Sequence, residues 1–267
     1  MNEKHADLLI QWVREAGKRS LDLRNKGLDV QTKADESVVT NADFELNDFF
    51  EEKLTKLFPD TQFIGEESEH NTPDKSSDTI WYVDPIDGTS NYVHNSDYYF
   101  ILIGRCTNGI PDFGLCYQPV FDRFWITKDD AVWDYNFPNN DFRKVNPLPS
   151  WQKRNNNAIS LKYFNSDQRE IVTSKWGLSR AQYFHTWPGA LALPNLHSAG
   201  YLSFRPTHFW DTCAIIAIMT TLGAEVQLFD KYGDEMTCEM ANKSHALAYY
   251  LPDTPDDLKS WFREQLR

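Results

Sequence analysis

The chain has 267 residues, 41% hydrophobic and 25% charged, with a formal net charge of −12. That length supports one large core or two small ones, and the composition excludes a disordered or fibrous chain. An acidic balance of this size excludes a nucleic-acid polymer as partner, since like charges repel the phosphate backbone.

Helical spacing of Leu8, Leu9, Trp12, Val13 and Ala16 predicts an amphipathic helix over residues 4–25, closed at Asn25-Lys26-Gly27. A short extended piece, 28–32, leads into the polar segment Lys33-Ala34-Asp35-Glu36-Ser37. A second helix begins at Thr40-Asn41-Ala42-Asp43, buries Phe49, Phe50, Leu54 and Leu57, and ends at Phe58-Pro59-Asp60. Gln62 to Ile64 is a short strand that runs into Gly65-Glu66-Glu67-Ser68, and 71–78 is a polar loop. Residues 79–83 form the strand that feeds Asp84-Pro85-Ile86-Asp87. Strands over 100–106 and 113–119 are joined at Asn108-Gly109, a hairpin signal, and 123–127 is a third. Residues 136–157, rich in Asn, Pro, Lys and Arg, mark a boundary that separates a half at 1–145 from a smaller half at 146–267. Beyond it come a strand at 158–161 and helices at 168–176 and 188–197. Trp210-Asp211-Thr212-Cys213 then opens an apolar helix over 214–222, capped by Gly223. Strands at 225–229 and 246–251 and a short helix holding Leu258, Trp261 and Phe262 complete the chain.

The four cysteines, Cys106, Cys116, Cys213 and Cys238, form no CxxC pair, which argues against a zinc knot or a disulfide scaffold. Reduced thiols in a cytoplasm are the simplest reading. The first residues carry no apolar signal core, and no stretch approaches the roughly 18 apolar residues of a membrane span.

Asp84 and Asp87 stand three residues apart around Pro85, where two carboxylates converge on cations, or simply serve a turn. The N–H groups of Gly88, Thr89 and Ser90 can point at an anion beside them. Taken singly, the other acidic residues have structural readings too. Glu66 and Glu67 read as a solvated loop, Asp43 as half of a capping box with Thr40, and Asp211 as a helix N-cap. Together they form an ordered constellation: a Glu pair after one strand, Asp-Pro-Ile-Asp-Gly-Thr after the next, and a distant Trp-Asp at a helix start.

With Trp81-Tyr82-Val83-Asp84-Pro85-Ile86-Asp87-Gly88-Thr89-Ser90-Asn91-Tyr92-Val93-His94 and Trp210-Asp211, the chain resembles the inositol monophosphatase family of Mg²⁺-dependent phosphatases. Gly65-Glu66-Glu67-Ser68 and the segment from Lys33 to Asp43 match as well. The resemblance implies an α/β (α+β) fold, a layered αβαβα sandwich of the sugar-phosphatase type, with the site between the halves and Asp211 supplied by the second. It implies two to three Mg²⁺ ions: one on Glu66, Asp84 and the Ile86 carbonyl, one on Asp84, Asp87 and Asp211, and a weaker one supported by Glu67. Such oxygen ligands suit Mg²⁺, and a metal pair stabilises both the attacking and the leaving oxygen. Asp43, Glu66 and Thr89 are the implied catalytic residues, with Thr89 hydrogen-bonded to the attacking water and Asp43 orienting Thr89. Asp87, Gly88, Thr89 and Ser90 would hold the substrate phosphate. Lys33 adds charge there, or is a solvated loop lysine.

The second half departs from the family pattern. His185-Thr186-Trp187-Pro188-Gly189-Ala190 replaces a polar loop, and Phe204-Arg205-Pro206 stands where a Glu usually holds ring hydroxyls. Arg205 favours an anionic group on the leaving half, or is a surface residue in a salt bridge. Trp187, His208 and Phe209 stack on a planar ring, or belong to the core. The expected activity is Mg²⁺-dependent hydrolysis of a small phosphorylated metabolite, an inositol- or sugar-phosphate. The alternatives are 3′-phosphoadenosine 5′-phosphate, fructose 1,6-bisphosphate and histidinol phosphate. A regulatory protein with a vestigial site is the non-enzymatic reading; the presence of all six carboxylates speaks against it. No membrane partner is expected, and a homodimer is the family's common assembly.

Overall fold

The structure, a computed structural model, describes residues 3–74, 77–154, 157–180 and 199–266. In chain order the first half runs α1 (Glu3–Lys26), β1 (Val30–Thr32), β2 (Val38–Thr40), α2 (Asn41–Leu57), β3 (Gln62–Gly65), β4 (Thr79–Asp87), α3 (Thr89–Val93), β5 (Phe100–Thr107), β6 (Ile110–Gln118), β7 (Arg123–Lys128), β8 (Ala131–Asn136) and β9 (Asp141–Lys144). After it come β10 (Ala158–Lys162), α4 (Ser166–Trp176), β11 (Ser179–Arg180), β12 (Gly200–Ser203), β13 (Thr207–His208), α5 (Phe209–Thr221), β14 (Glu225–Phe229), β15 (Lys243–Ser244), β16 (Ala246–Tyr250) and α6 (Asp256–Glu264). The helix expected over 188–197, and the segment 185–190 with Trp187, lie outside the described residues.

Two sheets and three helix layers account for the core. The larger sheet has the order β3-β4-β5-β6-β7-β8-β9, with β3 and β4 parallel and the rest antiparallel. The smaller has the order β11-β10-β12-β16-β14. Alternation along β4 sorts its side chains. Trp81 and Val83 pack with Leu9, Val13, Leu46 and Phe50 of α1 and α2. Ile80 and Tyr82 face the other way, onto Phe209, Cys213 and Ala214 of α5. That helix is apolar nearly all round because Tyr201, Leu247 and Tyr249 of the smaller sheet cover its far side. On that sheet's outer face Phe164 and Val172 pack with Leu258, Trp261 and Phe262. The layers are therefore αβαβα, as expected. No described helix is long and apolar enough to cross a membrane.

The structure differs from the sequence expectation in the path of β4, in strands that were not expected, among them β2 and β12, and at the start of α5. Strand β4 does not stop at Val83 but continues to Asp87 through a bulge. Residues 131–136 and 141–144, the latter inside the expected boundary segment, are two further strands of the large sheet. Helix α5 starts at Phe209 with His208 at its cap, so Asp211 lies in the first turn and is not the N-cap.

Candidate active site

The bulge in β4 builds the centre of the site. Asp84 pairs with Leu102 and Asp87 with Phe100, so one extra residue lies between the pairs. Without it, two carboxylates three residues apart would point to opposite faces. With it, Asp87 joins Asp84 on the face that looks toward α5. Pro85, which has no N–H to give a ladder, is tolerated within the bulge. The Ile86 N–H donates to Asp84 Oδ1 at 2.9 Å, and the Ile86 carbonyl accepts from Thr89 Oγ1 at 3.0 Å.

Glu66 arrives from the end of β3, which runs parallel to β4 so that both strands end on the same side. Asp211 arrives from the first turn of α5, where the helix dipole favours an acid. Carboxylate oxygens of Glu66, Asp84 and Asp211 lie within 4.8 Å of one another, the only such set among the described residues. Asp87 borders this triad. It is 7% exposed, and its Oδ2 is buried with no hydrogen-bond partner.

Charge repulsion marks the cluster. Burial first, then Glu66, Asp87, Asp211 and Asp43, push the Asp84 carboxyl well above the ordinary range. Burial, Asp211 and Glu66 do the same to Asp87, against the pull of Arg205. Asp211 is pushed up to about 7 by burial and Glu66. Buried carboxylates that repel one another, with an orphan oxygen and all-oxygen donors, fit a divalent cation of the Mg²⁺ kind.

A pH dependence follows. The folded carboxyl of Asp211 titrates near 7, its unfolded counterpart near the ordinary 3.8. Between those values the folded state holds the extra proton, so metal-free stability falls as pH rises through this window. A divalent cation held there would need the ionised groups and would offset their repulsion. The gain in Tm on adding Mg²⁺ should therefore be larger at pH 8 than at pH 5; differential scanning fluorimetry reads it, and an equal gain at both would refute the assignment.

Asp43 and Thr89 form the second part. The capping box of α2 is present: Thr40 N and Oγ1 donate to Asp43 Oδ2 at 2.8 and 2.6 Å. The other oxygen, Oδ1, accepts from Thr89 Oγ1 at 3.1 Å, so the capping residue also reaches the site. Burial raises its carboxyl to about 6. Gly88 caps the one-turn helix α3 in the left-handed region at φ 89°, and exposed Ser90 follows Thr89.

Lys33 sits in the turn between β1 and β2 and donates to Glu66 Oε1 at 2.8 Å and Glu67 Oε1 at 2.5 Å. It is therefore tied to the acidic cluster and is not a solvated loop lysine. Burial disfavours its charge, but the two glutamates outweigh that and hold it protonated. Burial raises Glu67 to about 6. His208 stacks on Trp210 with centroids 4.2 Å apart and is lowered to about 4, first by burial. Phe209 packs in the core against Tyr82. Phe209 is therefore core, while the half-buried His208 ring has one face on Trp210.

Arg205 is exposed, and its charge acts on both Asp87 and Asp211. Its guanidinium lies 5.9 Å from the ring centroid of Tyr163, a residue that sequence reasoning passed over. Tyr163 is 63% exposed and holds φ at 64°, a region a bulky side chain seldom adopts. Its one signal in the sequence is an aromatic pair just after a strand.

The sequence profile of the inositol monophosphatase family matches residues 1–252. The chain belongs to the inositol monophosphatase family. It is thus a phosphoric monoester hydrolase of the family's Mg²⁺-dependent kind, and the acidic triad fits that chemistry. Inositol-1-monophosphatase of Bacillus subtilis is 35% identical over 116 residues, a stretch that is 43% of this chain and 44% of that protein. The 3′(2′),5′-bisphosphate nucleotidase CysQ of Buchnera aphidicola is 27% identical over 234 residues, 84% of each chain. The solved IMPase of Thermotoga maritima superposes with a TM-score of 0.71 at 19% identity, covering 98% of both chains. At that identity the superposition establishes the shared fold.

Proposed function

We propose that the substrate is a small phosphorylated metabolite of the inositol- or sugar-phosphate kind, and that two to three Mg²⁺ ions are held by Glu66, Glu67, Asp84, Asp87, Asp211 and the Ile86 carbonyl. The observation that carries this is the Glu66–Asp84–Asp211 oxygen set with the orphan Asp87 oxygen beside it. When bound, Mg²⁺ neutralises these carboxylates and lowers the pKa of a coordinated water toward neutrality.

The chain's own residues do the rest. Asp43 is fixed by two hydrogen bonds from Thr40 and accepts a hydrogen bond from the Thr89 hydroxyl, whose single proton it shares with the Ile86 carbonyl. That turns the free lone pairs of Thr89 Oγ1 outward, where they accept from the attacking water and aim it. The N–H groups of Gly88, Thr89 and Ser90 receive phosphate oxygens, and Lys33 adds positive charge. Asp211 comes from the half at 146–267, so substrate sits between it and the half at 1–145. A cytoplasmic location and a homodimer belong to the same proposal; light scattering tests the latter. Phosphate release, with and without Mg²⁺, from inositol 1-phosphate, fructose 1,6-bisphosphate, 3′-phosphoadenosine 5′-phosphate and histidinol phosphate tests the whole. No release from any of them overturns it.

Arg205 favours a second reading, a bisphosphate substrate. Its cation stands near the acidic centre beside the exposed Tyr163 ring, on the side where the leaving group would lie. The bisphosphate nucleotidase alignment spans 84% of the chain, the inositol monophosphatase one 43%. Arg205→Glu should raise KM for a bisphosphate about tenfold or more, the size of one lost charge-assisted hydrogen bond. A monophosphate should feel it far less. Equal effects on both would refute the role.

A further inference from the structure

The sheet face that carries Asp84 and Asp87 has a gap in its side-chain layer. Gly104 of β5 pairs with Gly114 of β6, and on its other side with Tyr82 of β4. Helix α5 lies directly on the two glycines. A Cβ at Gly104 would stand 2.5 Å from the Ala214 nitrogen and 2.7 Å from Cys213 Cβ. One at Gly114 would stand 2.9 Å from the Ala214 carbonyl carbon, and nearer still to its oxygen. Real Cβ atoms do not approach within 3.0 Å, and the obstacle here is largely backbone, which cannot rotate aside. Neither glycine has a left-handed φ, so conformational freedom does not explain them. What they supply is room.

That room lies next to the acidic centre. Cys213 and Ala214 follow Asp211 by two and three residues, within one helical turn. Tyr82, the partner of Gly104, precedes Asp84 by one pleat, about 7 Å along the strand. A change in the height of α5 at Ala214 therefore reaches Asp211 almost undamped. Moving a Cβ from 2.5 Å to ordinary contact at 3.4 Å lifts the helix by about 1 Å.

We propose that Gly104 and Gly114 are positioning residues for the metal centre: by seating α5 on bare sheet backbone, they set the depth at which Asp211 meets Asp84 and Glu66. This rests on Asp211 being a Mg²⁺ ligand. No contact of either glycine with substrate is involved.

The test is Mg²⁺ titration calorimetry on the whole chain, with Tm measured in parallel. Gly104→Ala and Gly114→Ala should each weaken Mg²⁺ binding about tenfold or more. Asp211→Glu adds one C–C bond, about 1.5 Å. Alone it should weaken binding, because at native helix height it overshoots. Combined with either glycine substitution, it should recover most of the lost affinity, a rescue that general loosening of the fold would not give. Gly17→Ala is the control. A Cβ there would stand 2.5 Å from Tyr117 Cε1 and 3.1 Å from Pro119 Cβ, beneath α1 on the opposite face. It should lower Tm and leave Mg²⁺ affinity unchanged.

Parent-like Mg²⁺ affinity in the folded glycine variants, or no recovery in the double variants, overturns the proposal. If the glycine variants do not fold, Asp211→Glu alone decides: weaker binding supports the fixed depth, and unchanged binding overturns it. Asp211→Asn separates the underlying reading. Full Mg²⁺ binding by that variant would remove Asp211 from the ligands, a different failure from a glycine variant that binds normally.

Discussion

Asp87→Asn should fold as the parent does and release phosphate at least about 100-fold more slowly, with a large rise in the Mg²⁺ concentration needed for half-activation. The substitution keeps volume and shape and removes one charge. In the metal-free protein that charge is a liability, because Asp87 is buried beside Asp211 and Glu66 and its Oδ2 has no partner. Neutralising it relieves repulsion, so the metal-free Tm should hold or rise. With Mg²⁺ the sign reverses, since an amide oxygen is a weaker ligand for a hard cation than a carboxylate. The Mg²⁺-induced gain in Tm should shrink accordingly. An unfolded variant, or one with full activity, would show that Asp87 is not a ligand.

Thr89→Ala should lower kcat by about 10²- to 10⁴-fold, the range for losing a positioned proton acceptor, while Mg²⁺ affinity stays near the parent value. The hydroxyl lies 3.1 Å from Asp43 Oδ1, and its loss removes the group that aims the water without touching a carboxylate of the triad. Thr89→Ser keeps the hydroxyl and should retain much of the rate. Asp43→Asn should resemble Thr89→Ala in kcat, and should also lower Tm because it weakens the capping box at the start of α2. A fall in Mg²⁺ affinity that matches the fall in kcat would count against this division of labour.

Much of the site was legible in the sequence because its residues sit at ends of elements that local patterns define. The capping signal placed Asp43 at the start of α2, and the apolar run 79–83 pointed to Asp84, although the strand runs on through it to Asp87. That Asp87 shares a face with Asp84 was less accessible, since the reason is a bulge and not a turn. Two of the missed strands fail for opposite reasons. All four residues of β9 are exposed, so Asp141-Phe142-Arg143-Lys144 shows no alternation. All four of β12 are buried, so Gly200-Tyr201-Leu202-Ser203 shows none either. Tertiary partners alone reveal the tie of Lys33 to Glu66 and Glu67, and the meeting of Arg205 with Tyr163. Neither pairing has a short-range signature.

Helix α5 is clamped between two sheets along nearly its whole length, while Arg205 and Tyr163 stand exposed beyond the ends of strands β12 and β10. Substitutions at the helix must satisfy two cores at once; those at the exposed pair satisfy none. On the proposed roles, the helix that supplies Asp211 is therefore the part held by packing, and the exposed pair the part that can change a residue at a time. The same proposal lets substrate preference shift at that pair while the helix that carries Asp211 stays seated.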